Sequence, residues 1–233
     1  WEIWNEADLD YDDSDNKLCW GGTAAQFYEF YRIAALHLKK CFPHLKIGGP
    51  ALAGWEEWGE EFLYEMQKRK VPMDFFSWHI YACGVEKMVA KVQAVRALLD
   101  KYGFTETESI LNEWNYVRGW TGDDWVYSLK SEKNIKGASF IAAVIESCQY
   151  EPLDMLMYYD TRPSAFNGAF DFYTLRPLKG YYPLYWYGMF YDLEHEVRAE
   201  NSVENIYTLC GVDKDGKALC VVTHYSDNDE TEE

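Results

Sequence analysis

Apolar residues follow two alternating rhythms along this chain. Short, almost continuous apolar runs are separated by longer stretches in which apolar positions recur every three to four residues. The helical stretches are Thr23–Cys41, Glu56 to about Arg69, Val85–Tyr102, about Asn134–Cys148, and Tyr181–Leu193. In the first, Phe27, Tyr31, Ala34, Ala35 and Leu38 share a face, Thr23 suits the N-cap, and Pro43 stops the helix. In the third, Met88, Val92, Val95 and Leu99 share a face and Gly103 suits the C-cap. The short runs are Trp1–Asn5, Leu45–Pro50, Phe75–Tyr81, one opening at Ser109–Leu111 and ending near Glu113, and Met155–Tyr159. They do not alternate apolar with polar, so they read as strands buried on both faces, which is the signature of a parallel sheet. Strand and helix in strict alternation predict an α/β fold. After residue 198 the rhythm changes: Ile206–Val212 and Ala218–Tyr225 flank Asp213-Lys214-Asp215-Gly216, a hairpin pattern with a glycine-containing turn. No internal repeat is evident.

The 233 residues suffice for one large domain, and at 48% hydrophobic content a sizeable core can form. A formal net charge of −17 argues against nucleic acid and against an anionic membrane surface, because both demand clustered Lys and Arg. No stretch approaches the ~20 apolar residues that span a bilayer. The six cysteines lack metal-ligand spacing and read mostly as buried thiols, although Cys210 and Cys220 fall on facing arms of the expected hairpin. The chain opens on strand-like Trp1, with neither an initiator Met nor a signal peptide, as a fragment would. Ten Trp and nineteen Tyr exceed what the core needs. Trp20, Trp55, Trp58, Trp120 and Trp125 fall in loop-like segments, where flat rings offer platforms for the C–H faces of sugars. Asp8-Leu9-Asp10-Tyr11-Asp12-Asp13 is similar to a calcium loop but lacks its glycine and places Cys19 where the bidentate Glu belongs. It reads as a solvated acidic loop, as does the tail from Asp227; no metal and no cofactor is called for.

Parallel α/β folds carry their chemistry at the C-terminal ends of strands. Two strand ends here present carboxylates in similar settings, Trp4-Asn5-Glu6 and Leu111-Asn112-Glu113-Trp114. Such a pair is what glycoside hydrolysis requires, one carboxyl protonating the leaving oxygen while the other attacks the anomeric carbon or activates water.

Trp1-Glu2-Ile3-Trp4-Asn5-Glu6 resembles the fourth barrel strand of clan A glycoside hydrolases, in which Asn-Glu carries the acid/base. Further segments resemble family 39, the β-xylosidase family, in order: Leu45–Ala51 its fifth strand, Asp74–Tyr81 its sixth, and Ile110–Trp114 its seventh. Tyr158-Tyr159-Asp160 followed by Phe166-Asn167-Gly168-Ala169-Phe170 resembles the eighth strand and its loop. The resemblance covers about residues 1–195 and implies a (β/α)8 TIM barrel, here only about strands 4 to 8. On that reading residues 1–198 are a partial catalytic barrel and residues 199–233 begin a β-sandwich accessory domain.

The resemblance further implies a retaining hydrolase with Glu6 as general acid/base and Glu113 as nucleophile. Asn5 would bind the sugar 2-hydroxyl, His79 would line the −1 subsite, and Tyr81 would donate to Glu113. Tyr159 stands where a Trp commonly forms the sugar platform, and Ala7 where the clan usually has Pro. The implied partner is an oligosaccharide or glycoside substrate. The alternative is a decayed barrel that binds carbohydrate without turnover. Strands at both ends of a partial barrel would be unpaired, which predicts self-association through the open edges.

Overall fold

The computed structural model of the chain describes residues 1–10, 17–54, 56–164, 166, 168–200 and 202–229. Tyr11, Asp12 and Asp13 of the acidic loop, Trp55, and Asn167 lie outside the described residues. The helices are α1 (Ala24–Cys41), α2 (Glu56–Lys68), α3 (Val85–Lys101), α4 (Gly122–Ser131), α5 (Ile135–Cys148) and α6 (Tyr181–Phe190). The strands are β1 (Gly48–Leu52), β2 (Phe75–Ala82), β3 (Glu108–Tyr116), β4 (Met155–Leu156), β5 (His195–Val197), β6 (Ile206–Val212) and β7 (Ala218–His224). One sheet has the order β1-β2-β3-β4, with β1/β2 and β3/β4 parallel, so the α/β expectation holds. A second sheet, β5-β6-β7, is antiparallel. No helix among the described residues is long and apolar enough to cross a membrane.

Trp1–Asn5 departs from the expected strand: among the described residues it makes a single parallel bridge, Glu2 to Gly48. The backbone explains this, since Trp4 (φ 73°) and Glu6 (φ 51°) enter the left-handed region and cannot continue a ladder. Helix α4 and strand β5 are additions to the elements read from the sequence.

The chain forms two compact units. The first comprises Trp1–Ile80, Lys91–Trp114 and Pro152–Met157. Its α1 begins with a capping box: Thr23 Oγ1 accepts from the Gln26 N–H at 3.2 Å, and Gln26 Oε1 accepts from the Thr23 N–H at 2.8 Å. Helices α1 and α2 meet through rings. Trp58 and Phe62 stack at 5.8 Å, and Phe27, Tyr28 and Tyr31 surround them. All five are almost completely buried, and a Phe side chain so buried contributes about 1.5–3 kcal/mol by leaving water. Trp58 is therefore core rather than a loop platform. Trp20 likewise packs edge-on against Trp4 and Phe27.

Two aspartates fasten the strand starts of this unit by the same device. Asp74, just before β2, accepts from the Ile47 N–H at 2.7 Å, and Asp154, just before β4, accepts from the Ser109 N–H at 2.7 Å. In return their own N–H groups donate to the Ile47 and Ser109 carbonyls. Each pair closes a two-bond clasp that sets the register of neighbouring parallel strands.

The second unit comprises Tyr81–Ala90, Asn115–Glu151 and Tyr158–Glu233. Its centre is α5, buried at ten positions and packed against α6, β6 and β7. Half-buried Asp227 corrects the reading of a solvated tail at that residue, while Asp229 stays exposed though ion-paired. Asp227 accepts from Tyr116 Oη at 2.5 Å and pairs with Arg118 at 3.2 Å, while Asp229 pairs with Lys136 at 2.6 Å.

Two carboxyl groups in this unit are buried without full partnering. Neither oxygen of Glu132 has a hydrogen-bond partner, and burial pushes its carboxyl up to about 8, against the pull of Lys133 and with help from Asp160. Burial pushes Glu146 up to about 7, opposed by the Thr223 hydroxyl bonded to it. Both groups thus hold a proton in the folded state where the unfolded chain, near the ordinary value of 4.5, has lost it. Stability should then fall as pH rises from about 4.5 towards 8, by roughly 2–4 kcal/mol per fully titrated group. Glu132→Gln should flatten that slope. Urea denaturation at pH 5 and at pH 8 checks it, and equal slopes for the two proteins would refute the assignment.

Candidate active site

The site is built where the first segment crosses β1. Ile3 N–H donates to the Gly48 carbonyl and Glu6 N–H to the Ala51 carbonyl, each at 2.8 Å, so backbone bonds bracket the turn that carries Glu6. Only glycine allows this approach: a Cβ at Gly49 (φ 132°) would stand 2.9 Å from the Ile3 carbonyl oxygen, and one at Gly48 2.2 Å from that of Phe75. The two left-handed residues cost on the order of 1–2 kcal/mol each, a strain that surrounding contacts must hold. Asp8 is one of those contacts. It is buried and accepts from the Ala53 N–H at 2.9 Å, which corrects its reading as part of a solvated loop.

Strands β2 and β3 supply the other two groups. Ser77 Oγ accepts from the Ala51 N–H at 2.9 Å, and Trp78 Nε1 donates to Ser109 Oγ at 3.1 Å, both bonds fully buried. These cross-strand ties flank His79 and leave β2 little freedom to slide. His79 is 1% exposed, while the side chains of Glu6 and Glu113 are 18% and 20% exposed. Its Nδ1 lies 2.8 Å from Glu6 Oε1 and 3.7 Å from Glu113 Oε2. Each of the three residues offers an atom within 4.8 Å of the other two. Two carboxyl groups and an imidazole, far apart in sequence, therefore converge on one small volume open to solvent on the carboxyl side. A volume of this size also fits a cation, so the donor set by itself permits a metal; acid/base work needs none.

The remaining candidates belong to both units. Asn5 is exposed on the segment leading to Glu6. In the second unit, Tyr81 lies edge-on to Trp120 at 5.0 Å and tilted against Phe166 at 5.5 Å, and Tyr159 packs on the same Phe166 at 6.2 Å. Trp120, 57% exposed, stacks with half-buried Trp125, so these two do form a partly open aromatic surface on a loop and the helix after it. The Tyr159 hydroxyl accepts from Arg162 at 2.9 Å, and its carbonyl accepts from Asn115 Nδ2 at 2.9 Å. Sequence reading missed Asn112, which precedes Glu113 and donates through Nδ2 to Glu2 Oε1 at 2.8 Å. The repeated Asn-Glu dipeptide was its signal, but nothing local pointed to Glu2 as its acceptor.

The chain is similar to known proteins in sequence and in fold. The model of glycosyl hydrolases family 39 matches residues 1–163. A β-xylosidase from Geobacillus stearothermophilus is 29% identical across a match covering 49% of this chain and 25% of that protein. One from Caldicellulosiruptor saccharolyticus is 36% identical across 34% of this chain and 15% of that protein. The match thus spans about a quarter or less of these curated relatives. Among solved structures, a glucosidase from Croceicoccus marinus is similar with a TM-score of 0.78 and 26% identity, over 98% of this chain and 48% of that one. The family 39 enzyme of Xanthomonas axonopodis pv. citri shares the fold with a TM-score of 0.75 at 18% identity, over 98% and 46%.

Proposed function

We propose that this chain, which belongs to glycosyl hydrolases family 39, carries the catalytic pair of a retaining glycoside hydrolase. The reaction is cleavage of β-glycosidic bonds by double displacement, β-xylosidase-like and directed at plant-type oligosaccharides. The observation that carries this reading is the meeting of Glu6, His79 and Glu113. Retaining hydrolases hold their carboxyl groups ~5–5.5 Å apart and inverting ones ~6.5–9.5 Å, to admit a water. An oxygen–oxygen approach within 4.8 Å supports the retaining side.

In the first step Glu113 attacks the anomeric carbon while Glu6 protonates the glycosidic oxygen, which leaves as the alcohol. In the second, Glu6 takes a proton from water as that water attacks the glycosyl–enzyme ester, and Glu113 departs as carboxylate. His79 Nδ1 lies 2.8 Å from Glu6 Oε1, a hydrogen-bond contact that would orient the Glu6 carboxyl for giving and taking its proton. Asn5 would bind the 2-hydroxyl, Tyr81 would donate to Glu113, and Tyr159 would line the sugar platform; these roles rest on the family's motifs.

The segment Trp1–Glu6 and strands β1 to β4 correspond, on this reading, to barrel strands 4 to 8. Residues 1–198 would belong to the barrel and 199–233 to a β-rich accessory domain. The separate antiparallel sheet β5-β6-β7 supports a change of architecture near that boundary. Self-association through the open edges belongs to the same reading.

Turnover of an aryl β-xyloside, followed by proton NMR, tests the mechanism. β-Xylose should appear first and mutarotate later, and chelator should leave the rate unchanged. Initial release of the α-anomer would overturn retention. Xylo-oligosaccharide binding without turnover would favour the decayed barrel.

A further inference from the structure

The hairpin β6–β7 holds two thiols face to face. Cys210 and Cys220 are direct partners in its antiparallel register, and their Sγ atoms lie 2.7 Å apart, against ~2.05 Å for a disulfide bond. Both are free thiols, with Cys210 half-buried and Cys220 exposed. Sequence spacing alone left this pairing open, because a slip of one residue would send the two sulfurs to opposite faces.

The register is held from three sides. The turn is closed by Asp213, whose Oδ1 accepts from the N–H groups of Asp215 and Lys217 at 2.9 and 2.8 Å, with Gly216 in the left-handed region at φ 84°. Strand β5 pairs along the other edge of β6, placing Val197 opposite Cys210. Strand β7 is tied to α5 by the Thr223 hydroxyl, which donates to Glu146 at 3.2 Å. Closing the sulfur gap therefore asks for side-chain rotation and no strand movement. Cys148, by contrast, is buried, and burial pushes its thiol up to about 12.

We propose that Cys210 and Cys220 form a redox-modification site, closing to an intrachain disulfide that staples the hairpin when a low-molecular-weight disulfide is present. Burial and the neighbouring sulfur push the Cys210 thiol up to about 11, so exposed Cys220 leads. Cys220 thiolate attacks one sulfur of the external disulfide, which breaks, and one thiolate leaves. Cys210 then gives up its proton and attacks Cys220 Sγ, expelling the second thiolate. Two protein thiols are oxidised, and one external disulfide is reduced to two thiols.

The whole chain, incubated with oxidised glutathione under native conditions, tests this. Titratable thiols should fall from six to four, the mass by two hydrogens, and the melting temperature should rise and return on reduction. Trypsin cuts after Lys214 and Lys217, so Cys210 and Cys220 end on separate peptides that only a disulfide can join. Cys210→Ser should stop at a mixed disulfide on Cys220, and Cys220→Ser should leave Cys210 reduced. Independent alkylation of both residues after oxidation would overturn the proposal. So would stable glutathionylation of either one in the unsubstituted chain, or joining of the peptides only after denaturation.

Discussion

Glu113→Ala is expected to lower turnover of every aryl glycoside by on the order of 10⁴–10⁶-fold, the scale of losing a covalent nucleophile. That corresponds to roughly 5–8 kcal/mol of barrier. No leaving group compensates, because without the carboxylate no glycosyl–enzyme ester forms. Glu6→Ala should behave differently. Proton transfer contributes about 10²–10⁴-fold, and the need for it falls as the leaving group improves. Activated substrates such as dinitrophenyl xyloside should lose little in the glycosylation step, unactivated ones much more. Azide should then accelerate Glu6→Ala by taking the place of water, which needs a base, and should yield the β-azide. The measurement is a pair of leaving-group series with and without azide, made on protein that turns over the unsubstituted reaction. Equal losses for both variants across the series would sink the division of roles. His79 adds a control, since His79→Gln should lower kcat by loosening the Glu6 carboxyl while leaving the leaving-group trend intact.

The elements with a strong rhythm were legible in the sequence. Helices α1, α3 and α5 lie within a few residues of the apolar spacing that marks them, and β2 coincides with an almost continuous apolar run. Helix α4 was not legible, because Gly122-Asp123-Asp124 at its start has the composition of a turn and only a few apolar residues follow. Strand β5, three exposed residues, has no apolar signal of its own and exists because β6 pairs with it. The site divides in the same way. Glu6, His79 and Glu113 were nameable because each sits in a family motif. The Asn112–Glu2 bond, 110 residues apart in sequence, was invisible because it depends on how the first segment and β3 lie in space. Asp227 shows the opposite error, and exposed Asp229 beside it is ion-paired all the same. Composition reads an acidic tail as solvated, and it cannot know that Arg118 and Lys136 stand where the tail lands.

Association of the isolated chain is the second large effect expected. Among the described residues β4 pairs only with β3, and its two residues leave an edge where Met155 and Met157 are each 44% exposed. An edge with unpaired N–H and C=O groups beside apolar side chains is a template for another strand. In the second unit, Tyr182, Tyr185, Trp186 and Met189 lie along one face of α6 and are 43%, 53%, 42% and 40% exposed. That spacing is the stripe of a helix meant to be covered, and folded monomers rarely leave contiguous apolar patches of more than a few hundred Å² in water. A second copy brings the same edge and the same stripe, so each can be covered by its counterpart, and a stable contact of the obligate kind buries more than ~2,000 Å². Light scattering of the 233-residue chain should give a dimer or larger species whose melting temperature rises with concentration. Tyr185→Lys combined with Trp186→Lys should shift that distribution towards monomer, because two buried cations would face each other across the interface. A cooperative, concentration-independent melt from a monomer would show that the β4 edge and the α6 stripe are tolerated in water. The reading of β1 to β4 as an open part of a barrel would then have to be given up.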